Sequence, residues 1–175
     1  MWYVIQTLGN VDVQKVCDKF KQAMPDTLLK DVFVPQYVCL KHYQKEWHEK
    51  LVPLFPNYFF VDTERAEEIR ERLKVLSQIM KPVCVGEEFV PIYAEEQEFL
   101  ERMMDAGHII CKSVGNIIDG RFDIYEGPLQ DKAHLVRKVD RHRRLAYVEI
   151  QLHGERRQMQ VGLEIIKKIV TQKAV

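Results

Sequence analysis

Leu54-Phe55-Pro56-Asn57-Tyr58-Phe59-Phe60-Val61 gathers four aromatic residues and a proline into one short run. A strand with one face in water alternates apolar and polar residues, and this run does not. Both of its faces must be covered. Either the strand lies in a sheet buried on both sides, or the protein covers one face and a partner macromolecule covers the other.

The flanking segments supply the rest of such a sheet. Trp2 to Thr7 reads as a strand, and Gly9-Asn10 as a turn. A helix follows with Val13, Val16, Cys17, Phe20 and Met24 at 3.6-residue spacing, closed by Pro25. Leu29 to Val34 returns as a strand ended by Pro35, and Tyr37 to Tyr43 forms a hairpin arm before the mixed-charge stretch Lys45 to Lys50. After the aromatic run, Thr63 is placed to cap a helix with Ala66, Ile69, Leu73 and Leu76 on one stripe. Ile79 to Val85 and Phe89 to Ile92 read as extended, and Ala94 to Ala106 as a helix stopped at Gly107.

Beyond Gly120 the pattern changes to short strands: Arg121 to Tyr125, Ala133 to Val139, Leu145 to Leu152, Glu155 to Val161 and Leu163 to Ile169. Gly127-Pro128, Asp140 to Arg144, His153-Gly154 and Gly162 supply the turns. Strands this short and numerous hide their edges by curling into a small barrel. The expected division is 1–106, a linker over 107–119, and 120–175.

Charge follows the same division. The chain has 175 residues and no net charge, but residues 1–106 carry 13 Lys and Arg against 18 Asp and Glu, and the remainder 13 against 8. Opposite signs in the two halves point to different partners. Cys17, Cys39, Cys84 and Cys111 form no Cys-x-x-Cys pair and read as reduced, mostly buried thiols. No signal peptide or membrane-length apolar segment is visible, so a cytoplasmic protein is expected.

Catalysis needs a nucleophile beside a base, paired carboxylates or a metal cage, and no spaced motif for any of these is present. His42 and His48, near Glu46 and Glu49, fit no metal-helix spacing. Glu67, Glu68 and Glu71, and Glu95, Glu96 and Glu98, read as solvated helix faces. No enzyme activity, cofactor or metal is expected. Binding chemistry is better represented. Lys132, His134, Arg137, Lys138, Arg141, His142, Arg143, Arg144, Arg156 and Arg157 crowd the barrel strands and turns, where guanidinium forks suit phosphate oxygens. The alternative is a barrel with a charged, solvated rim.

Trp2-Tyr3-Val4 with Thr7 and Gly9, Val34-Pro35, and the aromatic run itself resemble the N-terminal domain of the NusG family of transcription elongation factors. Ile124-Tyr125-Glu126-Gly127-Pro128-Leu129, then Val139-Asp140 and Gly154, resemble that family's C-terminal KOW motif. The resemblance implies an α+β N-terminal domain, an antiparallel sheet flanked by helices, followed by a small all-β SH3-like KOW barrel. It also implies a monomer whose aromatic pocket grips the clamp helices of the largest RNA polymerase subunit through Trp2, Phe55, Pro56 and Tyr58, walled by Ile79 and Met80.

Departures from the family pattern narrow the expectation. His134 stands where glycine is usual, and Leu129 and His153 where phenylalanine is usual. General members present that apolar barrel surface to ribosomal protein S10 or to Rho, so these partners fit less well. The resemblance then points to a specialised antiterminator similar to LoaP, with the basic barrel on a nascent RNA hairpin, or to RfaH, recruited by an exposed DNA element. A general elongation factor and a ribosome-associated KOW RNA-binding protein remain as alternatives.

Overall fold

The computed structural model describes residues 1–171. Along the chain run β1 (Trp2–Thr7), α1 (Val13–Ala23), β2 (Asp31–Phe33), β3 (Gln36–Tyr43), β4 (Glu46–Pro53), β5 (Tyr58–Asp62), α2 (Ala66–Leu73), β6 (Met80–Pro82), α3 (Ala94–Met103), β7 (Ile109–Ile110), β8 (Ser113–Ile118), β9 (Arg121–Glu126), β10 (Val136–Asp140), β11 (Leu145–Leu152) and β12 (Glu155–Ile169). They form two compact units. Met1–Pro35, Phe55–Phe99 and Leu152–Glu155 make the first, and Gln36–Leu54, Leu100–Gln151 and the described residues from Arg156 onward make the second.

The first unit is built on an antiparallel sheet in the order β2-β5-β1-β6. Tyr3, Ile5, Phe59 and Val61 share a core with Val13, Val16, Cys17 and Phe20 of α1 and Ile69 and Leu73 of α2. Each such buried side chain contributes about 1.5–3 kcal/mol. Asp12 starts α1 by accepting from the amides of Gln14 at 2.9 Å and Lys15 at 3.4 Å. Thr63 does not cap α2 as expected: the residue ahead of that helix is Arg65. The buried Thr63 hydroxyl instead donates to the Leu28 carbonyl at 2.7 Å and accepts from the Arg65 amide at 2.9 Å, tying the helix entry to the segment before β2.

β5 answers the question posed by the aromatic run. Phe59, Phe60 and Val61 are all fully buried. Phe59 and Val61 face the helices, while Phe60 lies stacked on Phe33 at 5.7 Å, edge-on to Trp2 at 6.0 Å and 6.1 Å from Phe55. The protein itself covers both faces of this strand.

The second unit holds a three-stranded sheet, β4-β3-β7, and a five-stranded sheet, β10-β11-β12-β8-β9. The expected linker is largely strand: β7 pairs parallel with β3, and β8 pairs with both β9 and β12. The mixed-charge stretch after Tyr43 is also a strand, β4, whose charged residues suit an exposed sheet edge. Its hairpin turns through Gln44 and Lys45 at φ 52° and 66°, and the β11–β12 hairpin through His153 and Gly154 at φ 52° and 72°. Both are primed turns matched to strand twist. Residues 133–135 form a single 3₁₀ turn, so β10 begins only at Val136.

Gly162 was expected to break two strands, yet β12 runs through it without interruption. The glycine serves close approach instead. A β-carbon there would stand 2.6 Å from the Val38 carbonyl oxygen of β3. The stop expected at Gly107 is likewise made by neighbours: Asp105 accepts from the amides of Gly107 and Ile109 at 2.8 and 3.0 Å, and His108 takes the left-handed φ of 59°.

Candidate functional site

The expected polymerase-facing residues fall on two sides of the first sheet. In β1, Trp2, Val4 and Gln6 share one face. Val4 pairs with Phe60, and Gln6 pairs with Tyr58 on one side and Lys81 on the other. Trp2, Phe55 and Tyr58 therefore belong to the face opposite the helices, with Phe33 and Phe60 added to them. Met80 pairs with Thr7 and lies in the helix-side core, and Ile79 packs against that core. Neither shares the face of Trp2.

Exposure narrows the expected aromatic pocket. Trp2 is 6% and Phe55 7% exposed, so both are buried, and the Trp2 amide donates to Gln97 Oε1 at 3.2 Å. Pro56 is exposed and Tyr58 half-buried, its amide bonded to the Phe55 carbonyl at 3.1 Å and its hydroxyl 3.4 Å from Gln6 Nε2. The accessible part of this face is thus Pro56, Tyr58, Gln6 and Lys81. Phe33 was missed because it sits at the end of a three-residue strand, where periodicity has no room to register.

Glu96 was read as solvated and is 5% exposed. Its Oε2 accepts from the amides of Tyr93 at 3.1 Å and His153 at 2.9 Å, and its Oε1 accepts from Gly154 at 2.8 Å. Three amides on one carboxylate satisfy a buried charge and fix the tip of the β11–β12 hairpin. A β-carbon on Gly154 would meet the Tyr93 ring at 3.2 Å. His153 is half-buried, its Nε2 without a hydrogen-bond partner, and Leu129 is fully buried in the barrel interior rather than on its surface.

The basic residues divide by what they touch. Arg144, at φ 53°, is occupied: its guanidinium lies 3.9 Å over the Trp47 ring and 2.6 Å from Glu164. Arg137 pairs with Glu149 at 3.0 Å, and Lys138 lies 5.6 Å over Tyr147. That hydrogen bond from Arg137, with the charges of Arg137 and Arg156, holds the Glu149 carboxyl below its ordinary range. Arg156 thereby joins Arg137 in one cluster. Arg141 and Arg143 project into solvent from the β10–β11 turn, which Asp140 closes by accepting from the Arg143 amide at 3.0 Å. His134 is exposed on the 3₁₀ turn before β10, Lys132 half-buried ahead of it, and Arg157 exposed in β12. Lys41, His42 and Trp47 of the β3–β4 hairpin, none of them expected at a binding site, line a hollow of about 450 Å³ together with His142 and Arg143. Among the described residues, no group of three or more His, Cys, Asp or Glu could hold a metal ion, and no helix is long and apolar enough to cross a membrane.

Residues 1–101 match the family described as NusG, transcription termination factor nusG. The chain belongs to the NusG family. A solved structure of NusG from Thermotoga maritima is similar over 94% of this chain and 93% of that one, with a TM-score of 0.52 and 19% identity. The likeness shows the fold: a NusG α+β N-terminal part followed by an all-β KOW region. No curated protein matches the chain significantly. NusG proteins are non-enzymatic transcription factors that generally bind RNA polymerase.

Proposed function

We propose that this NusG protein is a specialised elongation and antitermination factor. Its N-terminal part binds the clamp helices of the largest polymerase subunit through the face of Trp2, Phe55, Pro56 and Tyr58, and its barrel contacts nascent leader RNA. The observation that carries the polymerase half is the family match over residues 1–101, which spans every residue of that face. Pro56 and Tyr58 offer its accessible edge, while Trp2, Phe33 and Phe60 set the rings behind it. Bridging across the polymerase cleft would hold the enzyme closed on nucleic acid and disfavour pausing, with no bond made or broken.

RNA is favoured over a protein partner for the barrel by Leu129 and His153. The first is buried, and the backbone of the second is held by Glu96, so neither offers an apolar knob to ribosomal protein S10 or Rho. Arg141, Arg143, Lys138 and Arg156 offer exposed cations instead. A pull-down from lysate probed for polymerase, S10 and bound RNA tests the whole reading. Recovery of polymerase and RNA without S10 is expected. Co-sedimentation with ribosomal subunits and no polymerase would refute it.

A further inference from the structure

The hollow between the β3–β4 hairpin and the β10–β11 turn carries an inference that rests on the RNA reading and locates it. The buried Tyr37, Leu40 and Leu145 give the hollow an apolar floor. Its rim carries the cations Lys41 and Arg143 beside the imidazoles of His42 and His142, all four exposed, and among the described residues no carboxylate lines the hollow. Trp47 stands at the edge, 38% exposed, with the His42 ring at 5.1 Å. The indole is already positioned, because Arg144 lies over it and is itself anchored by Glu164.

An apolar floor, an indole held in place and two cations without carboxylates match a nucleobase and its flanking phosphates, the combination by which proteins bind single strands. A volume of about 450 Å³ accepts a nucleotide or two. An acidic peptide would satisfy the cations but leave the floor and the indole unmatched. The hollow also continues the exposed basic turn of Arg141 and Arg143. We infer that this hollow seats a short single-stranded segment of RNA, with a base against Trp47 and phosphates on Lys41 and Arg143.

Tryptophan emission reads this directly. The chain has two tryptophans, and Trp2 is buried in the other unit, so a change at the hollow reports through Trp47. Full-length protein is titrated at low salt with oligouridine of roughly ten nucleotides, within the usual span of single-strand sites. Quenching is expected, absent in Trp47→Phe. Lys41→Ala combined with Arg143→Ala should weaken binding at least about tenfold, and Lys19→Ala on α1 should not. Each variant's circular dichroism and melting midpoint exclude unfolding as the cause. Binding of oligouridine with unchanged Trp47 emission and no effect of the double variant would overturn the seat while leaving RNA on the outer rim. No binding of any RNA would overturn both. Equal quenching by oligothymidine DNA would overturn the assignment to RNA, and equal quenching by oligoglutamate would overturn the assignment to nucleic acid.

Discussion

Oε1 of Glu96 accepts the amide proton of Gly154 at 2.8 Å, joining a helix to a hairpin tip 58 residues away in sequence. Removing the carboxylate leaves the amides of His153 and Gly154 without their acceptor. Glu96→Ala is expected to lower stability by about 2–3 kcal/mol, as for other partnerless polar groups. Glu96→Gln keeps one acceptor oxygen and should lose less. Urea denaturation of the two variants checks the order.

Arg144 and Arg143 are adjacent in sequence and differ in role. Arg144→Ala removes the contact with Trp47 and the pair with Glu164, and should cost about 1–2 kcal/mol of stability. It should change the salt dependence of RNA binding little. Arg143→Ala should leave the melting midpoint in place and reduce the log-log salt slope by about 0.7, the value for one phosphate contact on a single strand.

Tyr58→Ala should weaken binding to isolated clamp helices by about 2 kcal/mol, as loss of a hot-spot aromatic does. Phe55→Ala should weaken it too, but with loss of stability, because that ring is buried 6.1 Å from Phe60. Calorimetry with a clamp-helix fragment measures the first effect and thermal melts the second. Unchanged binding by both variants would remove this face as the polymerase site.

Burial pushes the Cys17 thiol up to about 11, against an ordinary 9.0. The folded state therefore holds that proton more tightly than the unfolded chain does. The resulting stabilisation is complete below pH 9 and fades as the pH rises through 11. At neutral pH, a thiol reagent should label the exposed Cys111 rapidly and Cys17 only on unfolding. Timed mass spectrometry of labelled peptides reads both.

Gly162→Ala places a methyl 2.6 Å from the Val38 carbonyl oxygen, a backbone atom that cannot swing aside. The expected loss is about 1–3 kcal/mol, as for other overpacked sites. The same exchange at Gly120, whose β-carbon would meet nothing within 4 Å, should cost only what its φ of 82° imposes. Denaturant titration of the pair separates contact from conformation.

These cases also show what residue patterns carry. The helix of Val13, Val16, Cys17 and Phe20 was legible because its spacing is local, and the aromatic run announced a strand covered on both faces. It could not say that the chain itself supplies the cover for Trp2 and Phe55. β8 was hidden because its parallel partner in β12 lies some fifty residues downstream, and no local period encodes such a pair. Gly162 was misread because a glycine for a turn and a glycine for close approach look the same in one sequence. Glu96 was misread because its neighbours Glu95 and Glu98 imply water, while its own partners belong to a distant turn. Trp47 escaped notice because the charged edge strand that carries it, β4, resembles a loop.

The pairing of Leu163 with Ser113 sets an order of assembly. All four strands of the first sheet are available once the chain extends to Pro82, whereas the seam between β8 and β12 has no second half until residues beyond Leu163 have been synthesised. Closing so long a loop is slow compared with pairing near neighbours. During translation, the first sheet can therefore mature while the second is still waiting for its last strand.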